Sequence, residues 1–165
     1  MSERRWVINA SPLILLGKVE KLDLLPRMIS RLLIPPAVVE EIRQGSRNDP
    51  ARNWLSRATP FFMTDHPPLH PTVAAWNLGQ GETEVLSYAV NNSGHTVVID
   101  DLAARNCALS MGLSTLGTLG VLLLFKKDGL LERVVPVVEV LQSLGMRISP
   151  ALIDRIATLS GEDDA

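Results

Sequence analysis

The sequence predicts an α/β fold of three layers, in which helices cover both faces of a mainly parallel sheet. Short runs of β-branched and apolar residues alternate with longer amphipathic segments, a pattern typical of strand–helix–strand units. Prolines stand at first helical positions and glycines stand beyond last ones. The chain has 165 residues, 46% of them hydrophobic, which is enough to bury a core without disulfides. We expect one domain over residues 1–160 and a frayed acidic tail over 161–165.

Each element of the first half has a local reason. Pro35 and Pro36 suit the first turn of a helix that Gly45 closes, and Asp49 is a cap ahead of Pro50. The segment TPFFMTDHPPLHP is rich in proline and predicts a loop. The expected elements are a strand over 6–10, one or two helices over 12–28, a strand over 32–34, helices over 36–42 and 50–55, a possible strand over 61–63 and a short helix around 74.

The second half repeats the alternation. Gly81 precedes a helix, NNSG turns the chain, and TVVI is a buried strand. Pro136 suits a first helical turn, and Ser149 with Pro150 caps the last helix. The expected elements are a helix over 82–90, a strand over 96–99, a helix over 101–111, a strand over 114–116, helices over 119–127 and 136–145, a possible strand over 146–148 and a helix from 150.

Two stretches resemble export or membrane signals, and their composition argues against both. The N-terminal MSERRWVINASPLILLG has polar interruptions and no A-x-A site. The uncharged residues 106–125 contain polar residues and glycines, which divide them into helix, strand and helix. The single cysteine, Cys107, excludes a disulfide framework and predicts a buried small hydrophobic residue. We therefore expect a cytoplasmic protein without a membrane partner.

Charge is distributed unevenly along the chain. Residues 1–60 carry a balance of +4 and residues 61–165 a balance of −6. A basic half can face a polyanion, although ordinary solvated surface explains the balance as well. The same two interpretations apply to the arginines near helical spacing, Arg43, Arg47, Arg52 and Arg57. His66 and His70 could bind metal, but their proline-rich context favours a surface loop.

Four acidic residues stand at strand ends or helix starts. In HTVVIDDLAAR, residues 95–105, a buried strand ends in Asp100 and Asp101. The carboxyl ends of strands in open α/β sheets are where ligands bind, so this pair is a candidate site. Glu41 in PPAVVEEIRQG and Glu82 in GQGETEVL are further candidates. Carboxylates that converge on one point suit Mg²⁺ or Mn²⁺. Taken one at a time, however, Glu82 is more simply a favourable charge at a helix start, and Glu41 is more simply a solvated helix residue.

Taken in order, VINASPLILL, IPPAVVEEIRQG, GQGETEVLSYA and TVVIDDLAAR resemble the four acidic motifs of PIN-domain nucleases. The segment GTLGVLLLFKKDGLL and the helix ahead of GMRIS resemble the C-terminal part of a bacterial and archaeal branch related to VapC-type toxins. The resemblance covers nearly the whole chain, and four motifs with compatible spacing are fairly specific. It implies a PIN-like α/β/α fold.

The resemblance also implies a function and a site. It implies an Mg²⁺- or Mn²⁺-dependent ribonuclease that cuts single-stranded or looped RNA, as a homodimer silenced by a cognate antitoxin. Ser11 falls where the family often has a small hydroxyl residue. The implied metal ligands are Asn9 at the first acidic position, Glu41 at the second, Glu82 at the third and Asp101 at the fourth, and Asp100 joins them in the catalytic set.

Asn9 departs from the family because it replaces a carboxylate and removes one negative charge, although its carbonyl oxygen can still coordinate a metal. Asp100 could supply the missing charge. Alternatively, the chain is a weak or inactive PIN-like module that binds RNA or a protein partner. A phosphate-accepting signalling domain is disfavoured, because the nearby downstream acids, Asp128 and Glu132, are predicted in a helix and its turn.

Overall fold

A computed structural model describes residues 3–163, and the chain forms two compact units, Met1–Gly117 and Thr118–Ala165. In the described residues, four strands and ten α-helices follow one another in the predicted alternation. All four strands are parallel, which confirms the expected α/β/α class. None of the described helices is long and apolar enough to cross a membrane.

The sheet belongs to the first unit. Its strands are β1 (Arg5–Ile8), β2 (Arg31–Leu33), β3 (Thr96–Val98) and β4 (Ser114–Leu116). Their spatial order is β2-β1-β3-β4, so the chain leaves β1 and β3 toward opposite edges of the sheet. The crevice beyond the carboxyl ends of such a strand pair is the usual ligand site of open α/β sheets. The topology therefore selects the ends of β1 and β3.

Seven α-helices of the first unit lie between these four strands along the chain. They begin largely where the sequence predicts, because the local caps form: Asp49 accepts a hydrogen bond from the Ala51 N–H, and Asp101 accepts one from the Ala104 N–H. The possible strand over 61–63 is reduced to one parallel bridge between Ile34 and Phe62. The helices are α1 (Ala10–Lys18), α2 (Leu25–Met28), α3 (Pro36–Gln44), α4 (Pro50–Trp54), α5 (Pro71–Ala74), α6 (Gln80–Asn91) and α7 (Leu102–Ser110).

The second unit contains α8 (Thr118–Lys127), α9 (Val135–Ser143) and α10 (Pro150–Ser160). The predicted strand over 146–148 is wrong. The Met146 N–H bonds back to the Leu141 carbonyl, and the Ile148 carbonyl accepts from the Gln142 side chain. Gly145, at a φ of 106°, provides the left-handed turn. The apolar residues after it therefore close the end of α9 instead of pairing with a strand.

Glu162 holds the ends of this unit together. Gly161 ends α10 in a left-handed conformation, and Glu162 after it is only 9% exposed. Its carboxylate accepts hydrogen bonds from the N–H groups of Val134 and Val135 at the start of α9, and from Lys126 at 3.0 Å. Of the tail expected to fray, residues 164–165 lie outside the described residues. Glu162, in contrast, pairs with N–H groups at the start of α9 that have no acceptor within their own helix.

This carboxylate predicts a pH-dependent stability. Burial alone would raise the pKa of Glu162, but hydrogen bonds from Val134, Lys126 and Val135 lower it to about 2. A lowered carboxyl pKa stabilises the fold above the ordinary value, and the stabilisation is lost as pH falls through the folded value. We expect Glu162→Gln to cost about 2 kcal/mol near neutral pH, from lost charge-assisted hydrogen bonds.

Denaturant unfolding near neutral pH and near pH 2 measures this effect. The difference in unfolding free energy between wild type and Glu162→Gln should disappear as the pH falls from 4.5, the ordinary carboxyl pKa, to about 2. Glu139→Gln, which removes an exposed carboxylate from α9, is the matched control. A difference in unfolding free energy of the same size at both pH values would contradict a charged Glu162 carboxylate.

Candidate active site

The candidate site lies beyond the carboxyl ends of β1 and β3. Asn9 directly follows β1, and its backbone N–H donates to the Val98 carbonyl of β3 at 3.0 Å. Asp100 and Asp101 come two and three residues after that carbonyl. The sheet therefore brings the first and the fourth of the predicted acidic positions to the same edge, as expected for adjacent parallel strands.

Asn9 presents a buried oxygen that the fold does not satisfy. The residue is 5% exposed, and its side chain makes no capping bond at the start of α1. Among the described residues, its Oδ1 atom has no hydrogen-bond partner. Leaving a buried carbonyl oxygen unpaired costs about 1–3 kcal/mol. The Asn9 side chain is therefore not a helix cap, and it offers an oxygen to a ligand.

Gly81 keeps the space beside this oxygen open. A β-carbon at position 81 would lie 3.1 Å from Asn9 Oδ1, 3.4 Å from Val38 Cγ2 and 3.8 Å from Glu41 Oε2. The Asn9 and Glu41 oxygens thus flank one small space, which any larger residue on α6 would fill. The sequence placed Gly81 at the start of this helix but did not predict that role.

Glu82, the next residue, faces two further carboxylates. Burial raises the pKa of its half-buried carboxyl, and the neighbouring charge of Asp101 raises it further. A hydrogen bond from the Gly79 backbone acts in the opposite direction, and the charge of Glu41 adds to the rise. Glu82 is therefore close enough to Asp101 and to Glu41 for each of these charges to disfavour its ionised form.

The two adjacent aspartates have different surroundings. Asp101 Oδ2 accepts from the Ala104 N–H at 3.0 Å, so it caps α7 while it faces Glu82. Asp100 Oδ2 accepts from the Ser11 hydroxyl at 3.4 Å. Asp100 Oδ1 and an Arg105 Nη1 atom both lie 3.0 Å from the position a β-carbon on Gly117 would take. Arg105 is a site neighbour that the sequence motifs did not single out.

A comparison of the sequence with models of protein families agrees with this arrangement. A family model described as a PIN domain matches residues 5–162. The chain belongs to the PIN-domain family. Members of this family are generally nucleases, which makes the carboxylates beyond β1 and β3 the candidate active site. Comparisons with curated proteins and with solved structures found no match.

PIN domains typically use divalent metal ions, and the donors of this PIN domain suit such an ion. Carboxylate and amide oxygens are hard ligands, and the unpaired Asn9 Oδ1 with the open space at Gly81 is the observation that fits a metal. Within residues 3–163, however, no three His, Cys, Asp or Glu side chains already form a ligand cluster.

The other residues that the sequence singled out, two histidines and the cysteine, make contacts that give them structural roles. His66 Nδ1 bonds to Glu84, and His70 Nδ1 accepts from the Thr72 N–H at the start of α5. Cys107 is a free thiol that is fully buried, which confirms the predicted hydrophobic role. These residues lie outside the group around Asn9, and the roles of that group stay predictions.

Proposed function

We propose that this PIN domain is a metal-dependent endoribonuclease that cleaves single-stranded or looped RNA. The observation that carries the proposal is the buried, unpaired Asn9 Oδ1, which stands beside Glu41 across the space at Gly81. The raised pKa of Glu82, caused by burial and by Asp101 and Glu41, adds support because a cation relieves such repulsion. RNA cleavage that requires Mg²⁺ or Mn²⁺ tests the proposal.

In this proposal, Asn9, Glu41, Glu82 and Asp101 would hold the ion. When bound, Mg²⁺ or Mn²⁺ would supply an activated water and neutralise charge on the phosphodiester. Asp100 accepts a hydrogen bond from Ser11, two residues after Asn9 in the chain. Arg105 places a positive charge beside Asp100, where it can attract a phosphate of the substrate.

The proposal extends to the setting of the enzyme. We infer a cytoplasmic toxin that forms a homodimer and is silenced by a cognate antitoxin, as in VapC-type pairs. The support is the resemblance of GTLGVLLLFKKDGLL and of the helix ahead of GMRIS. Expression in bacteria tests it: growth arrest that a small protein encoded immediately upstream relieves is the expected result, and growth unaffected by the expressed protein would contradict it.

A second candidate function is a weak or inactive PIN module that binds RNA or a protein partner. Asn9 favours it, because the site has one carboxylate fewer than the family pattern. The carboxylates in the described residues also form no ready ligand cluster. Metal titration followed by an RNA cleavage assay separates the two functions, since the second predicts binding without metal-dependent cleavage.

We predict that divalent metal raises the melting temperature of the wild-type protein. Folding brings Glu41, Glu82 and Asp101 together, and an ion that binds only the folded state stabilises it by mass action. At ten times the dissociation constant this amounts to about 1.4 kcal/mol, or roughly 3–5 °C for a chain of this size.

Thermal melts with Mg²⁺ or Mn²⁺, against sodium chloride of equal ionic strength, measure the effect. Glu82→Gln should respond less than wild type, and Glu139→Gln, with its change on α9, should respond equally. Identical melting temperatures of the wild type with and without millimolar metal would count against the site.

A further inference from the structure

A second pocket lies along the same edge of the sheet as the candidate active site. Beyond the carboxyl end of β2, Ile34 bonds with both Phe61 and Met63, which forms the bridge to Phe62. A cavity of about 380 Å³ opens here, and its lining includes Val39, Glu40, Arg43, Phe62, Met63 and His66. Because β2 pairs with β1, the pocket stands one strand away from the end of β1.

A buried carboxylate that the proposed chemistry does not use orients one wall of this pocket. Glu84 on α6 is 7% exposed. Its Oε1 atom accepts from the Ala37 N–H in the first turn of α3 at 2.8 Å, and Oε2 bonds to His66 Nδ1. This contact occupies Nδ1, so Nε2 is the ring nitrogen of His66 that can meet a ligand. His66 is thereby held at the pocket in one orientation.

Arg43 and Phe62 provide a charge and an aromatic face together. The Arg43 guanidinium carbon lies 5.8 Å from the centre of the Phe62 ring, within the range of a cation–π contact. Arg43 also lines a second depression of about 320 Å³, together with Arg52, Ser56 and Thr59. It therefore separates an aromatic pocket from a depression with a second arginine and two hydroxyl groups.

We propose that these two depressions bind one nucleotide of single-stranded RNA, with its base against Phe62 and its phosphate between Arg43 and Arg52. Glu40 lines the same depression as Phe62 and indicates that this depression holds the base. Its carboxylate repels phosphate but accepts hydrogen bonds from the N–H groups of a base. Aromatic rings bind bases of unpaired strands by stacking, and arginines neutralise the backbone. The assignment rests on the proposed ribonuclease function and adds how the substrate is held along the edge of the sheet.

The test is RNA binding without cleavage. A fluorescein-labelled single-stranded oligoribonucleotide is titrated with wild-type protein in EDTA, at several salt concentrations, and its anisotropy is measured. Phe62→Leu keeps apolar volume but removes the aromatic face, and should weaken binding about tenfold. Arg43→Gln should weaken binding and lower the salt dependence by about one phosphate contact, whereas Arg43→Lys should retain that dependence.

Arg31→Gln is the matched control, because Arg31 is an exposed arginine at the opposite end of β2. Arg43 is exposed as well, so its variants test the pocket even where Phe62→Leu fails to fold. Wild-type protein that cleaves RNA, with Arg43 and Phe62 variants that bind like Arg31→Gln, overturns the nucleotide pocket and leaves the nuclease proposal standing. Wild-type protein that neither binds nor cleaves RNA overturns both.

Discussion

RNA cleavage by Glu82→Gln, and separately by Asp101→Asn, is expected to fall by roughly a hundred- to a thousandfold, with the fold retained. Burial raises the pKa of Glu82, and the neighbouring charge of Asp101 raises it further. Either substitution removes the negative charge of a proposed metal ligand without changing side-chain size. Asparagine caps helices as well as aspartate does, so Asp101→Asn preserves the start of α7. Initial rates on a labelled RNA, at saturating Mg²⁺ or Mn²⁺, measure the loss.

Glu139→Gln removes an exposed helix carboxylate and should cleave at the wild-type rate. Melting temperatures taken without metal should show that neither site variant loses stability, since each relieves repulsion among the carboxylates. Wild-type rates in both site variants would end the assignment of these residues to catalysis.

Asn9→Asp is expected to change stability in opposite directions with and without metal. A carboxylate at this position, 5% exposed and beside Glu41, should slightly destabilise the metal-free protein, by about 1 kcal/mol, because it adds a further negative charge near an existing carboxylate. The same charge adds directly to the proposed metal site and should tighten Mn²⁺ or Mg²⁺ binding more than about tenfold. Such a gain is worth more than about 1.4 kcal/mol at saturating metal, so the metal-bound variant should be more stable than metal-bound wild type. Thermal melts and metal titrations of both proteins measure the two effects.

Asn53→Asp adds the same charge at an exposed position on α4 and should leave metal affinity unchanged. Equal destabilisation of Asn9→Asp with and without metal would identify Asn9 as a structural residue. The metal site would then have to be rebuilt around Asp100, and the inactive binding module would become the better function.

Local signals predicted most of the fold. The bounds of β4 agree with the expectation, and Asp49 and Ser149 cap the helices that they were expected to cap. Such features depend on a few neighbouring residues, which the sequence displays. Met146 to Ile148 have the composition of a strand, but a strand needs a partner, and the hydrogen bonds at the end of α9 decide otherwise.

The sequence predicted which strand ends form the candidate site, but not how the neighbouring helices approach them. Asn9 and the aspartates after β3 lie at one edge of the sheet because β1 and β3 are parallel neighbours, and the Asn9 N–H bonds to the Val98 carbonyl. The open space at Gly81 and the proximity of Arg105 to Asp100 depend on how α6 and α7 approach that edge, which periodicity does not reveal. Glu162 was placed in a frayed tail for the same reason, since its partners lie 27 to 36 residues away in the sequence.

The hydrogen bonds of the Glu162 carboxylate have a consequence for biosynthesis. During translation, α8 and α9 are made before residue 162, so the first N–H groups of α9 lack their acceptor until α10 has also been synthesised. A stop codon at position 162 would remove this carboxylate and leave those groups unpaired beside Lys126. Such a truncation should therefore reduce the amount of folded protein in cells, because unfolded chains are continuously degraded.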